Sequence, residues 1–191
     1  MSLPSPSNHA CFVYRDISEL VSVAVPFLAS GLRNGERCWY ISRGDEAGTL
    51  RTALHGAGVQ VTTAERRGAF RLFGPENIYA ALRPFSPEDM MGVFSDAIEE
   101  ALHDGFTGFR AAGEMSWSDH LDLPRPLFEY EHLISTLLCN SRARGLCLYH
   151  VDSLHGHAAV PVHPKVGTLR GELVLNPAFD HTYPRAAGKD L

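Results

Sequence analysis

The pentapeptide Gly113-Glu114-Met115-Ser116-Trp117 places a carboxylate, a thioether, a hydroxyl and an indole in one short run. One charged anchor beside an aromatic wall is the usual make-up of a site for a small organic molecule. The preceding run of small residues, Gly108 to Ala112, reads as a compact strand, and its alternation sets Arg110, Ala112 and Glu114 on one face, with Arg110 and Glu114 as expected neighbours. Glu131 is the second group of interest. In a helix expected from Pro126 to about Ser141 it falls among Leu127, Ile134 and Leu138, while Glu129 points to solvent. A carboxylate on a buried stripe must find a partner or shift its pKa, and Arg110 and His150 are the expected partners. The chemistry implied is binding. Glu114 would orient a polar group, Trp117 would cover an apolar one with Met115 and Ser116 beside it, and Arg110 and Glu131 would form the floor. His9, Cys11 and Tyr14 on the first strand would close the opposite wall.

Other chemistries lack their signatures. The ten histidines include the local pairs His9-x-Cys11, His150-x-Asp152 and His155-x-His157, but no H-E-x-x-H and no Cys-x-x-Cys completes a zinc pattern; neither a metal nor another cofactor is expected. No G-x-S-x-G elbow is present, so Ser116 is not read as a nucleophile. After the first strand the chain runs Tyr14-Arg15-Asp16-Ile17-Ser18-Glu19, where a phosphate-cradling loop needs glycines and a Lys-Ser/Thr pair. The cysteines at 11, 38, 139 and 147 read as buried free thiols.

The elements that must position these residues follow from periodicity and punctuation. His9 to Tyr14 is β-prone. A helix from about Ser18 to Arg33 aligns Leu20, Ala24, Phe27, Leu28 and Gly31, with Pro26 able to kink it. Arg37 to Ser42 reads as strand, a helix follows from about Asp45 to Gly58, and Val59 to Thr63 and Ala69 to Phe73 read as strands. Ile78 to Leu82 is a helical turn. Ser86-Pro87-Glu88-Asp89 is a strong helix start, and Gly105 ends that helix. Leu146 to Val151 reads as a buried strand and Glu172 to Leu175 as a last one. Strand and helix alternating at these spacings predict an α/β domain of three layers, a mostly parallel central sheet with helices on both faces, whose ligands bind at the carboxyl ends of the strands.

With 191 residues, 45% hydrophobic and 20% charged, the chain is the size and composition of one globular domain. Residues 9–180 are expected to form it, between flexible tails at 1–8 and 181–191. A net charge of -5 without a basic stripe argues against direct nucleic-acid or anionic-membrane partners. No run approaches the roughly 20 apolar residues of a membrane span, and a cytoplasmic location is expected.

One known family shares the order of these motifs. The chain resembles the MEDS domain, a sensory domain of methanogen and methylotroph signalling proteins, through His9-x-Cys11-x-x-Tyr14, Val25-Pro26-Phe27-Leu28, Gly31-Leu32, Gly35-Glu36-Arg37-Cys38 and Phe85-Ser86-Pro87-Glu88-Asp89-Met90. The likeness continues through Gly105-Phe106 to Arg110, Gly113-Glu114-Met115-Ser116-Trp117, Tyr130-Glu131, Leu146-Cys147-Leu148-Tyr149 and His163-Pro164 to Asn176-Pro177. The resemblance implies a degenerate RecA/KaiC-like fold without its phosphate-binding loop, and a non-enzymatic domain that senses a small hydrocarbon derivative. A separate signalling protein, a kinase or a transcription regulator, or a homodimer would carry the signal. Three competing readings are a residual nucleotide-binding or ATPase domain, an enzyme built on Glu114, Glu131 and His150, and a protein-interaction regulator with a vestigial pocket.

Overall fold

A computed structural model of the chain describes residues 8–42, 44, 46–79, 85–115 and 125–152. In chain order the elements are β1 (His9–Tyr14), α1 (Ile17–Arg33), β2 (Arg37–Ile41), α2 (Glu46–Gly56), α3 (Val61–Arg66), β3 (Phe70–Phe73), α4 (Pro75–Ile78), α5 (Pro87–His103), β4 (Phe109–Glu114), α6 (Arg125–Cys139) and β5 (Ala143–His150). The strands form one sheet in the order β1-β5-β4-β2-β3, and every pairing is parallel. The expected three-layer α/β architecture is therefore present and consistent with a RecA-like fold. The expected strand at Glu172 to Leu175, the expected tails at 1–7 and 181–191 and the His155-x-His157 pair lie outside the described residues, whereas Asn8, expected in the first tail, is bonded to Leu138 O at 3.0 Å and to Gly145 N at 2.9 Å.

Strand alternation divides the core into two layers. On one face Ala10, Phe12, Tyr40, Phe70, Ala112, Leu146 and Leu148 pack under Leu20, Ala24 and Leu28 of α1, Leu50 and Leu54 of α2 and Val61 of α3. On the other, Trp39, Ile41, Phe109, Ala111, Cys147 and Tyr149 pack under Ile78 of α4, Met90, Phe94 and Ile98 of α5, and Leu127, Ile134 and Leu138 of α6. The central strands β2 and β4 are buried along their whole length, as strands covered on both faces must be.

The helix boundaries have local causes. Asp16 caps α1, accepting hydrogen bonds from the amides of Ser18 at 2.8 Å and Glu19 at 3.0 Å, and Ser86 caps α5 by accepting from Asp89 N at 3.1 Å, with Pro87 in the first turn. Pro26 lies inside α1 with its ring exposed, and the helix runs through it. One expected strand is a helix. Val59 to Thr63 imitates strand alternation, but Val61 to Arg66 closes a short helix whose Val61 and Ala64 pack on the α2 side, anchored by an Arg51–Glu65 ion pair. Packing overrides β-branched propensity there.

The topology fixes where a site can form. From β2 the chain passes into α2 on one face, and from its neighbour β4 it proceeds to α6 on the other. Adjacent strands whose connections diverge leave a crevice at their carboxyl ends.

Candidate functional site

At that crevice Glu114, the last residue of β4, points to the α1 face and is 2% exposed. Tyr14, the last residue of β1, donates its hydroxyl to Glu114 Oε1 at 3.1 Å, across the intervening strand β5. Around this pair stand Tyr40 of β2, its hydroxyl buried and without a hydrogen-bond partner of good geometry among the described residues, and Ser42, which donates to Glu46 Oε2 at 3.2 Å. His150 packs edge-on against Tyr14 at 5.2 Å between ring centroids and bonds through Nε2 to the carbonyl of Arg15 at 2.9 Å. Burial and then the Glu114 charge push the Glu46 carboxyl up. The same two causes, in the same order, push the Tyr14 phenol up. The rim is acidic and rich in hydroxyls.

A second polar cluster lies on the opposite face, where β1, β5 and α6 meet. Parallel register sets Cys11 beside Cys147 and His9 beside Gly145. Glu131 of α6 reaches down to them. Its Oε2 accepts from Cys11 Sγ at 3.2 Å and lies 3.4 Å from His9 Nε2, while its Oε1 accepts from the Tyr149 hydroxyl at 2.5 Å. His9 Nδ1 bonds to Ser135 Oγ at 2.6 Å, and its Nε2 lies 3.2 Å from Cys147 Sγ. Burial works against a charged His9, but the Glu131 carboxylate and the Cys11 sulfur outweigh it and lift the imidazole to about 9. The neighbouring Cys147 thiol lowers Cys11 against the effect of burial, and Cys147 itself is pushed up by its bond to Cys11 and by burial.

Between β4, β5 and the overlying helices a cavity of about 20 Å³ abuts this cluster; its walls include Ala111, Gly113, Tyr79, Tyr130, His9 and Cys147. Glycine at 113 is what lets Tyr79 approach the sheet: a Cβ there would sit 2.6 Å from the Tyr79 hydroxyl. At Gly145 a Cβ would meet a Leu138 methyl at 2.6 Å and the His9 ring at 3.4 Å.

The expected binding residues thus divide into groups. Tyr14 and Glu114 meet, and so do His9, Cys11 and Glu131. Arg110 joins neither group. It shares the face of Glu114, as alternation requires, but four residues of strand separate the two by about 13 Å. Its guanidinium turns to Glu36, 2.5 Å from Nε to Oε2, and to the carbonyl of Phe27 at 2.6 Å. The expected floor of Arg110 with Glu131 is therefore overturned, because the two lie on opposite faces of the sheet. Glu131 takes Cys11, His9 and Tyr149 as partners, not Arg110 or His150. Met115 is fully buried in the α5/α6 layer, opposite to Glu114, so the pentapeptide does not present one wall. Ser116 and Trp117 lie outside the described residues. Among the cysteines Cys38 and Cys147 are buried as expected, Cys11 is half-buried, and Cys139 is exposed. The residues missed from sequence were Tyr40, Ser42 and Glu46 at the rim, and Ser135, Cys147 and Tyr149 in the second cluster.

A polar rim thus stands at the strand ends of a parallel sheet that has no phosphate loop after β1. Residues 8–164 match the profile of the MEDS family, the methanogen/methylotroph, DcmR sensory domain, and the chain belongs to that family. No curated protein matches the chain. No helix among the described residues is long and apolar enough to cross a membrane.

Proposed function

We propose that this sensory domain binds a small, uncharged or cationic organic molecule at the carboxyl ends of β1, β2 and β4, and passes the signal to a separate protein. The observation that carries this reading is the buried Glu114–Tyr14 pair beside an unsatisfied Tyr40 hydroxyl. A buried hydroxyl without a partner forfeits about 1–3 kcal/mol, which a ligand hydroxyl or amine can return by bonding to it. Glu114 and Glu46 favour a donor and repel an anion. Asp16 favours the same conclusion, since its carboxylate already takes the α1 amides to which a phosphate would otherwise bind. The relation to RecA/KaiC domains without their phosphate loop is part of this reading, and nucleotide binding is not. Differential affinity for two states of the domain would transmit the signal.

Calorimetric titration of the full chain with short alcohols, amines and haloalkanes tests the site. Glu114→Gln should abolish binding of a hit, and Tyr40→Phe should weaken it about fivefold, the equivalent of one hydrogen bond. Hits that bind both folded variants as well as they bind the parent would show that the rim is not the site.

A further inference from the structure

We infer that His9 Nε2, Cys11 Sγ and Glu131 Oε2 form a binding site for a divalent transition metal, zinc foremost. This site lies on the opposite face of the sheet from the rim and does not depend on the ligand proposed there. The three donor atoms lie within 4.8 Å of one another. The imidazole and carboxylate atoms are 3.4 Å apart and the sulfur and carboxylate atoms 3.2 Å. Around tetrahedral zinc, with bonds of about 2.0–2.3 Å, neighbouring donors stand about 3.3–3.7 Å apart, so two of the three edges of a coordination polyhedron are nearly in place.

The groups behind the donors point the same way. A metal-binding histidine commonly bonds its other ring nitrogen to an oxygen that fixes the tautomer, and a coordinating carboxylate is commonly held through its free oxygen. Ser135 Oγ stands at His9 Nδ1 at 2.6 Å, and the Tyr149 hydroxyl holds Glu131 Oε1 at 2.5 Å. Both partners engage the far atoms of their side chains, so Nε2 and Oε2 are the atoms grouped with Cys11 Sγ, and Nε2 also lies 3.2 Å from Cys147 Sγ. The positions are also fixed by regular elements: two donors from one strand face, one from a helix packed across it. One nitrogen, one sulfur and one oxygen suit zinc and not magnesium or calcium, which take oxygen alone. On binding, the metal–sulfur bond replaces the Cys11 S–H bond, and the proton leaves to solvent. Three protein ligands leave a fourth position open, as in zinc sites that take an exogenous group.

The test uses the full chain, loaded with Zn²⁺, freed of excess metal and analysed by mass spectrometry for metal content, with Co²⁺ titration followed optically. One equivalent per chain is expected, and the cobalt form should show intense tetrahedral d–d bands with a thiolate charge-transfer band. Cys11→Ser should remove the charge-transfer band, and Tyr149→Phe should weaken affinity about tenfold. Cys139→Ser, at an exposed position outside the cluster, should retain both metal and band. Failure of the parent to hold stoichiometric zinc overturns the proposal, as does a charge-transfer band that survives Cys11→Ser. Should Cys11→Ser not fold, alkylation of the parent decides. Zn²⁺ should slow modification of Cys11 and not of Cys139, with chelator restoring the rate, and equal rates with and without Zn²⁺ would refute the site.

Discussion

Replacing Gly113 by alanine should destabilise the domain through one contact, and the size of the effect can be worked from the structure. The added Cβ would lie 2.6 Å from the Tyr79 hydroxyl, and ordinary contact begins at 3.4 Å, so the ring must retreat by about 0.8 Å. Tyr79 has little freedom to do so: it is 3% exposed, its ring meets Tyr130 edge-on at 6.4 Å, and its hydroxyl is bonded to that of Tyr130. Overpacking of this kind costs about 1–3 kcal/mol, against which alanine in a strand recovers about 0.5–1 kcal/mol of backbone entropy. A net loss of about 1–2 kcal/mol lowers Tm by roughly 2–8 °C for a chain of this length. Thermal and urea unfolding of Gly113→Ala, Tyr79→Phe and the double variant complete the test. Tyr79→Phe removes the clashing oxygen and alone costs about 1–2 kcal/mol for the lost bond. The double variant should then be more stable than the sum of the singles requires by about 1 kcal/mol. Additivity within about 0.5 kcal/mol would mean that the close approach of Tyr79 is not what demands glycine.

Two further outcomes follow from buried charge. Glu36→Ala strands the Arg110 guanidinium, 2% exposed, with only the Phe27 carbonyl, and should cost about 3–5 kcal/mol in urea unfolding, whereas adding Arg110→Met should restore most of it. Neither change should alter zinc content, since both residues lie on the other face of the sheet from His9. Glu46→Gln should raise Tm at pH 7. Burial and the Glu114 charge raise the folded-state pKa of Glu46, so the native state binds the proton more tightly than the unfolded state. Its favourable contribution is complete below the unfolded value of about 4.3 and is lost as pH rises through the folded value. The advantage of glutamine should therefore shrink towards zero as pH falls to about 4; an advantage that does not vary with pH would place its origin elsewhere.

The layered fold was legible because the long helices α1 and α5 carry their own boundaries. Ser86-Pro87 and Asp16 cap helices through contacts two or three residues away, and such information is local. The short Val61–Arg66 helix was not legible, because its decisive contacts are with α2 and β3. At the site, alternation correctly set Arg110 and Glu114 on one face, but a shared face is not proximity. One stands at each end of the strand, and the Arg110 partner, Glu36, comes from 74 residues away. The same alternation, applied across the end of β4, sends Glu114 and Met115 into different layers.

The His9–Cys11–Glu131 cluster shows why spacing motifs fail for such a site. Zinc patterns such as Cys-x-x-Cys encode two donors on one turn, so they are read from adjacent residues. Here the local half is His9-x-Cys11, and strand geometry gives it meaning: residues two apart project to the same side. The other half was visible only as a carboxylate on an apolar stripe. What joins the halves is the sheet order, in which β1 pairs with β5 and brings α6 across both. Once that order is known, Glu131 has no Arg or Lys partner among the described residues, and its side chain meets an imidazole, a thiol and a phenol. Four groups able to give up a proton, or to do without one, converge there in a layer built mainly of aliphatic and aromatic side chains. A purely structural ion pair would be served by one partner, with the remaining positions apolar. The proposed zinc site would account for the surplus of donor atoms, and measurement of metal content in the full chain decides the matter.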